Sequence, residues 1–407
     1  MVGRGPCVAP RSVPPMLTSL TRFAMVVSIV AAGLVTASAG AAPQPTNTSA
    51  TTVASDRSAP DLSLPHPRGP LPVAATALHL VDRSRLDPWV PKSGHRELMV
   101  SMFYPTYSTT GPRAKYMTAA ESEAIIDAQR QEGEIPDDIP GTILSTVDSH
   151  VVRDTFPLPR LGGRPLIVLS PGFSMSRSSL TGLASHLASR GYVVAAIDHA
   201  HESLGIEMPD ERLVTCAACD TENFANVPPG RSEDVSFVLD RLFSPRSAWS
   251  HSWMIDRDRI GVAGHSIGGN SAASVLQEDP RVDAGVNLDG TFFDRLDGAI
   301  DRPFMMIGTR QLHTPGGGDP SWPRAWRKLR GPRYWFTVRG SNHGSFTDFP
   351  VLTEQAGVEP GALPGQRSMR LTRAYVGAFF DRHLRGLDRP VLDDESPAWP
   401  EVNAHHE

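Results

Sequence analysis

Cysteine is scarce in this chain, with three residues in 407. Cys7 lies near the N-terminus, which leaves Cys216-Ala-Ala-Cys219 as a lone pair. No second C-x-x-C stands nearby to complete a zinc site, and no strand runs straight into this one to open a redox-active helix. A local disulfide between Cys216 and Cys219 is expected instead. A basic excess is also missing. The formal net charge is −5, so no nucleic-acid partner is expected. Strong attraction to anionic lipid headgroups is not expected either. The apolar stretch Phe23 to Val35, broken by Ser28 and Gly33, is shorter than the roughly 18–20 residues of a membrane span. Arg4, Arg11 and Arg22 precede or open it, and the small-residue sites Ala37-Ser38-Ala39 and Ala39-Gly40-Ala41 follow. Residues 1–41 therefore read as a signal peptide, and the protein is expected to be secreted. No internal repeat is visible.

What is present divides into four stretches. Residues 42–74, rich in Ala, Pro, Thr and Ser, are expected to form a disordered linker after the signal. Residues 75–390 read as one catalytic domain, with 111–163 as an insertion or lid, and 391–407 as a tail. Strands are expected at Leu78–Val81, Leu98–Tyr104, Pro165–Ser170, Tyr192–Ile197, Arg259–Ala263, Ala284–Leu288, Phe304–Ile307 and Tyr334–Val338. Between them come helical patterns at 117–131, 179–190, 231–243, 268–278 and 370–384. Apolar strands without polar alternation, separated by amphipathic helices, imply a mostly parallel central sheet with helices on both faces. Such sheets carry their sites at the carboxyl ends of strands.

Gly264-His265-Ser266-Ile267-Gly268-Gly269 contains G-x-S-x-G. The match alone is weak in a Gly-rich chain. Its setting, after the Arg259–Ala263 strand and before a helix, is that of a nucleophile elbow in an α/β-hydrolase. Ser266 is then the nucleophile, and His265 beside it a packing residue. A serine needs a base, and the base an orienting carboxylate. His343, in the loop after the Tyr334–Val338 strand, is the favoured base, and His313 in a Gly/Pro-rich loop the weaker one. Two acids compete. Asp289 follows the Ala284–Leu288 strand directly, whereas Asp319 follows the next strand through a long loop. The oxyanion hole is expected from the N–H groups of Ile267 and of Phe173, in Ser170-Pro171-Gly172-Phe173-Ser174.

Gly264-His265-Ser266-Ile267-Gly268-Gly269, Leu288-Asp289-Gly290, and Ser341-Asn342-His343 with Phe346 and Asp348-Phe349 together resemble the plasma-type (lipoprotein-associated) platelet-activating factor acetylhydrolases, as an exported bacterial member. The resemblance covers roughly residues 75–386. It implies an α/β-hydrolase with Asp289 as the acid. It also implies a secreted esterase that removes short or oxidised acyl chains from glycerophospholipids, with no metal or other cofactor. Pro171 and Ser174 depart from that family's His-Gly-x-Gly-like oxyanion loop. The chain is also similar to exported lipases and cutinase-like polyesterases, which place the acid one strand later.

The expected partner is a lipid or other ester, with transient contact at a lipid interface. Phe292, Phe293, Trp322 and Trp326 form either that apolar face or core. Two rival classes stand beside the esterase. Asp198-His199-Ala200-His201-Glu202 could open the site of a metal-dependent hydrolase through His199 and His201. A binding protein on a hydrolase fold would carry the same elements without catalysis.

Overall fold

The computed structural model describes residues 60–221, 223–293 and 296–406. The signal segment, Cys7 and residues 42–59 of the expected linker lie outside them. In chain order the strands are β1 (Val73–Leu86), β2 (His95–Pro105), β3 (Val152–Arg153), β4 (Arg164–Ser170), β5 (Val193–His199), β6 (Ile206–Glu207), β7 (Leu213–Val214), β8 (Ile255–His265), β9 (Ala284–Leu288), β10 (Phe304–Thr309), β11 (Arg333–Val338) and β12 (Val402–His405). The helices are α1 (Ala119–Gln131), α2 (Thr181–Ser189), α3 (Val227–Phe243), α4 (Ile267–Glu278), α5 (Arg310–His313), α6 (Ser321–Trp326), α7 (Phe349–Gln355) and α8 (Gly365–Arg385). Strands β6 and β7 make a small separate hairpin.

The main sheet runs β12-β11-β10-β9-β8-β4-β5-β2-β1-β3. From β11 to β5 every neighbour pair is parallel. The antiparallel pairs are β12 on β11, β2 on β5 and β1 on β2. Alternation along the strands explains the helices on both faces. In β4, Leu166 and Val168 join one core with Val235, Val238 and Leu239 of α3 and Val275 of α4. Ile167 and Leu169 point the other way, into a core with Leu183 and Leu187 of α2 and Tyr375 and Phe379 of α8. Every residue of β4 and β5 is buried, so neither strand had a polar side to show in the sequence.

Two expectations about the ends are corrected. Residues 60–74 are not loose linker. Leu62 and Leu64 are 2% exposed and pack with Ile125, Ile126 and Leu144 of the 111–163 segment and with Val351 and Leu352 of α7. Strand β1 already begins at Val73, well before Leu78. Its small Ala residues and its exposed polar alternates hid it. The tail is not loose either, because β12 pairs with β11 from Trp335↔His405 to Val338↔Val402. Residues 111–163 are ordered around α1. Thr118 and Glu121 close a reciprocal cap at its N-terminus, and Ile125 and Ile126 bury its inner face.

Candidate active site

Strand β8 ends at His265 and α4 starts at Ile267, so Ser266 alone makes the turn. Its φ is 55°, a left-handed value costly for a residue with a Cβ. The flanking glycines make that turn possible. A Cβ on Gly264 would lie 2.2 Å from the carbonyl carbon of Gly268, and one on Gly268 would lie 2.2 Å from Ser170 O. The second figure also means that the start of α4 abuts the loop after β4. Ile267 and Phe173 thus sit on adjoining segments. The N–H of Ile267 belongs to the first helical turn, where no intrahelical carbonyl is available to it.

Ser266 donates its hydroxyl to His343 Nε2 at 2.9 Å, and His343 Nδ1–H donates to Asp289 Oδ2 at 2.7 Å. The two bonds fix the tautomer. Ser266 is half-buried, the His343 side chain is 32% exposed, and Asp289 is buried beneath them. Asp289 also has positive φ, at 58°, and its N–H donates to Ile307 O at 2.9 Å. Its Oδ1 accepts Thr309 N–H at 2.5 Å and His313 Nδ1–H at 2.7 Å. Burial pushes the Asp289 carboxyl up, and the hydrogen bonds from His313 and His343 outweigh it, holding the acid well below the usual carboxylate range.

The two competing acids are therefore connected. His313 Nε2 lies 3.2 Å from Asp319 Oδ2, and His313 stacks on Trp322 at 4.1 Å between ring centroids. Among the described residues Asp319 faces His313, Thr291 and Ser321, and it makes no hydrogen bond to His343. His313, the weaker candidate base, is turned to Asp289 and not to Ser266. His265 does more than pack. Its Nε2–H donates to the His343 carbonyl at 2.8 Å, and burial drives its pKa down to about 3, so the ring is neutral.

The loop after β4 is held from outside the elbow. Ser174 N–H donates to Glu202 O at 2.9 Å, and Leu204 N–H donates to Ser174 O at 3.0 Å. Arg231 of α3 donates to Pro171 O at 2.5 Å, to Ser170 Oγ at 3.2 Å and to Glu202 at 2.7 Å. Neither Arg231 nor Glu202 was singled out in the sequence as a support for that loop. Their only sequence signal is the rarity of charge on a buried helix face or strand end.

A second Ser–His–Asp chain lies beneath. His199 Nε2 is 3.0 Å from Ser170 Oγ, and its Nδ1 is 2.8 Å from Asp234 Oδ2. Asp234 is gripped by Arg96 at 2.7 Å. Burial raises the Asp234 carboxyl, but Arg96 and His199 outweigh it and hold it far below its ordinary range. Both ring nitrogens of His199 are thus engaged by protein groups, which does not suit a metal ligand. Among the described residues no group of three or more His, Cys, Asp or Glu side chains gathers as a metal site.

Cys216 and Cys219 are joined in a disulfide. The short segment it braces is tied to His201 O by Ala218 N–H at 2.9 Å. Just beyond, Phe224 stands edge-on to Phe173 at 5.2 Å and lies 5.5 Å from Phe293. These three half-buried rings form an aromatic wall beside the loop after β4. Phe292, Trp322 and Trp326 are core, not lipid-facing surface. Across the site, an apolar cavity of about 130 Å³ is lined by Ile125, Ile126, Leu144, Leu204 and Leu352. It reaches Ser174 and Met175 on one side and Asn342 and Gly344, the neighbours of His343, on the other.

Residues 89–209 and 234–361 match the family model described as "Platelet-activating factor acetylhydrolase, isoform II". An Arthroderma benhamiae protein named "Probable 1-alkyl-2-acetylglycerophosphocholine esterase" is 28% identical over 376 residues, 83% of this chain and 92% of that one. The platelet-activating factor acetylhydrolase of Canis lupus familiaris is 26% identical over 226 residues, 46% of this chain and 49% of that one. The solved ferulic acid esterase of Streptomyces cinnamoneus is 40% identical with a TM-score of 0.75, covering 85% of this chain and all of that one.

Proposed function

The chain belongs to the platelet-activating factor acetylhydrolase isoform II family and is a carboxylic ester hydrolase, and from that premise we propose that Ser266 is its nucleophile and short or oxidised acyl chains of glycerophospholipids its substrates. The observation that carries the catalytic part is the continuous hydrogen-bonded chain Ser266–His343–Asp289 at the elbow. His343 Nε2 takes the Ser266 proton as Oγ attacks the ester carbonyl. The oxyanion forms against the N–H groups of Ile267 and Phe173. His343 then gives its proton to the departing alcohol, leaving an acyl group on Ser266. Water, deprotonated by His343, releases the acid and restores the serine. Asp289 keeps Nδ1 protonated and stabilises the imidazolium at each stage. The cavity beside His343 takes a hydrocarbon part of the ester.

The buried chain Ser170–His199–Asp234 is the competing nucleophile set. Ser170 is 0% exposed and also receives Arg231, which suits a brace for the oxyanion loop better than an attacking group. Ser266→Ala should lower kcat by roughly 10³-fold or more while leaving the fold intact. Ser170→Ala should keep most of the turnover. The opposite pattern would transfer the nucleophile to Ser170.

A second substrate class is favoured by the wall of Phe173, Phe224 and Phe293, namely esters of aromatic acids. The 40% identity to a ferulic acid esterase supports it. Hydrolysis of a short-acyl phospholipid, a feruloyl ester and a long-chain triacylglycerol should be compared in one assay, with Ser266→Ala as blank. A serine-dependent preference for the phospholipid upholds the proposal, and preference for either of the others replaces it. Secretion belongs to the same proposal. Expressed with its own leader, the protein should be recovered outside the cell with its N-terminus near residue 41, and retention inside the cell with residues 1–41 intact would refute this.

A further inference from the structure

Behind Asp289 lies a group that the ester-cleaving cycle does not use. His313 is 1% exposed and places each ring nitrogen on a different carboxylate, Nδ1 at 2.7 Å from Asp289 Oδ1 and Nε2 at 3.2 Å from Asp319 Oδ2. A neutral imidazole has one N–H and one lone pair. Here a lone pair on either nitrogen would point at an ionised oxygen. Only the doubly protonated ring satisfies both contacts. The energetics agree. Burial disfavours the cation, yet the bonds to Asp289 and Asp319 push the His313 pKa up to about 9. Asp319 falls to about 2 although burial raises it, chiefly through its bond from His313.

We propose that His313, carried as an imidazolium between Asp289 and Asp319, is a positioning residue of the esterase reaction that aims Asp289 Oδ2 at His343 and offsets part of the charge that His343 faces. The inference rests on the assignment of Ser266, Asp289 and His343 as the reacting set. Two effects follow from the geometry. Asp289 Oδ1 is held by Thr309 N–H and His313, so the carboxylate cannot rotate away from His343. The positive charge on His313 also offsets part of the field that Asp289 exerts on His343. A stronger field would favour the imidazolium of His343 over the neutral ring that acts as the base.

The other groups around His343 do not supply this charge. His265, whose ring centroid is 4.6 Å away, is neutral. Asp348 turns to Gly182 N–H. On the far side of His313, Trp322 stacks on the ring, Trp335 donates its indole N–H to the backbone carbonyl, and Arg310 of the same helix is exposed.

The test uses the full mature protein and three readouts. Labelling with a fluorophosphonate, followed by mass spectrometry, locates the nucleophile. An adduct away from Ser266 overturns the underlying assignment and this inference with it. With the adduct on Ser266, kcat/KM is measured against pH for wild type and His313→Gln, which keeps a neutral donor and removes the charge. Loss of the cation should move the acid limb up by about half a pH unit or more. An unmoved limb, or one displaced downward, overturns the proposal, because a merely structural residue would lower the curve without sliding it along the pH axis. Should His313→Gln fail to fold, ¹⁵N-histidine NMR of the wild type decides. Both His313 nitrogens should be protonated at pH 7.5, and a lone pair on either one overturns the proposal.

Discussion

Asp348 is 2% exposed and accepts the Gly182 N–H with its two oxygens at 2.9 and 3.1 Å. Burial pushes its pKa up to about 7, against the pull of Gly182 and Arg373. In the unfolded chain the same carboxyl titrates near ~3.9. Between those values the folded protein holds the extra proton, so stability falls as pH rises from about 4 to about 7. Asp348→Asn removes that slope. Its Tm relative to wild type should be several degrees more favourable at pH 8 than at pH 5, and an equal difference at both pH values would contradict the cause given. His313 contributes in a higher window. Its folded pKa of about 9 is raised above the unfolded ~6.5, so its contribution is full below that and lost as pH climbs through 9. At this scale the sequence was most legible where a residue directly follows a strand. Ser266 and Asp289 occupy such places and His343 the short loop after β11, and the structure brings the three together. His313 and Asp319 were legible only as competitors. Their actual relation depends on α5 folding back beneath Asp289, which no spacing in the sequence encodes.

Among the elements, α3 governs more than its own packing. It begins at Val227, with proline in its first turn, earlier than the apolar face from Val235 suggested. Arg231, where the helix was expected to begin, thereby sits one turn inside it. That side chain bridges α3, the end of β4 and Glu202, so the loop carrying Phe173 is fastened to a helix. Arg231→Met should leave Pro171 O without its donor and Glu202 with only Arg96 and Trp89. A loss of about 3 kcal/mol in denaturant unfolding is expected, together with a fall in kcat larger than any change in KM. Unchanged kcat in a destabilised variant would show that the loop holds its shape without this anchor. Helix positions were well legible because Val235, Val238, Leu239 and Leu242 repeat at the helical period. Buried charge at helix starts follows no period, and for that reason the support of the loop after β4 was not.

For the molecule as a whole, the order of strands and helices was readable because strands such as β4 and β5 carry short apolar runs, residues 166–169 and 193–197, buried on both faces. The margins were not. Strand β12 has only four residues, Val402 to His405, and just one is fully buried, so it carries no hydrophobic signature. Its partner supplies the reason it forms. Without β12 the parallel sheet would end at β11 with a row of open backbone groups. Removing residues 401–407 should lower Tm and increase light scattering on heating, while Ser266 labelling below the transition stays intact. A truncated protein as soluble as the full chain would mean that the β11 edge needs no cover.

Strand β12 also makes the margin of the sheet a long-range contact. Arg339 N–H reaches Glu401 O at 2.8 Å only after the chain has passed through α8 and returned to the edge of β11. Closing so long a loop costs entropy before any contact repays it, so the β11 margin is expected to be the last part of the sheet to close and the first to open.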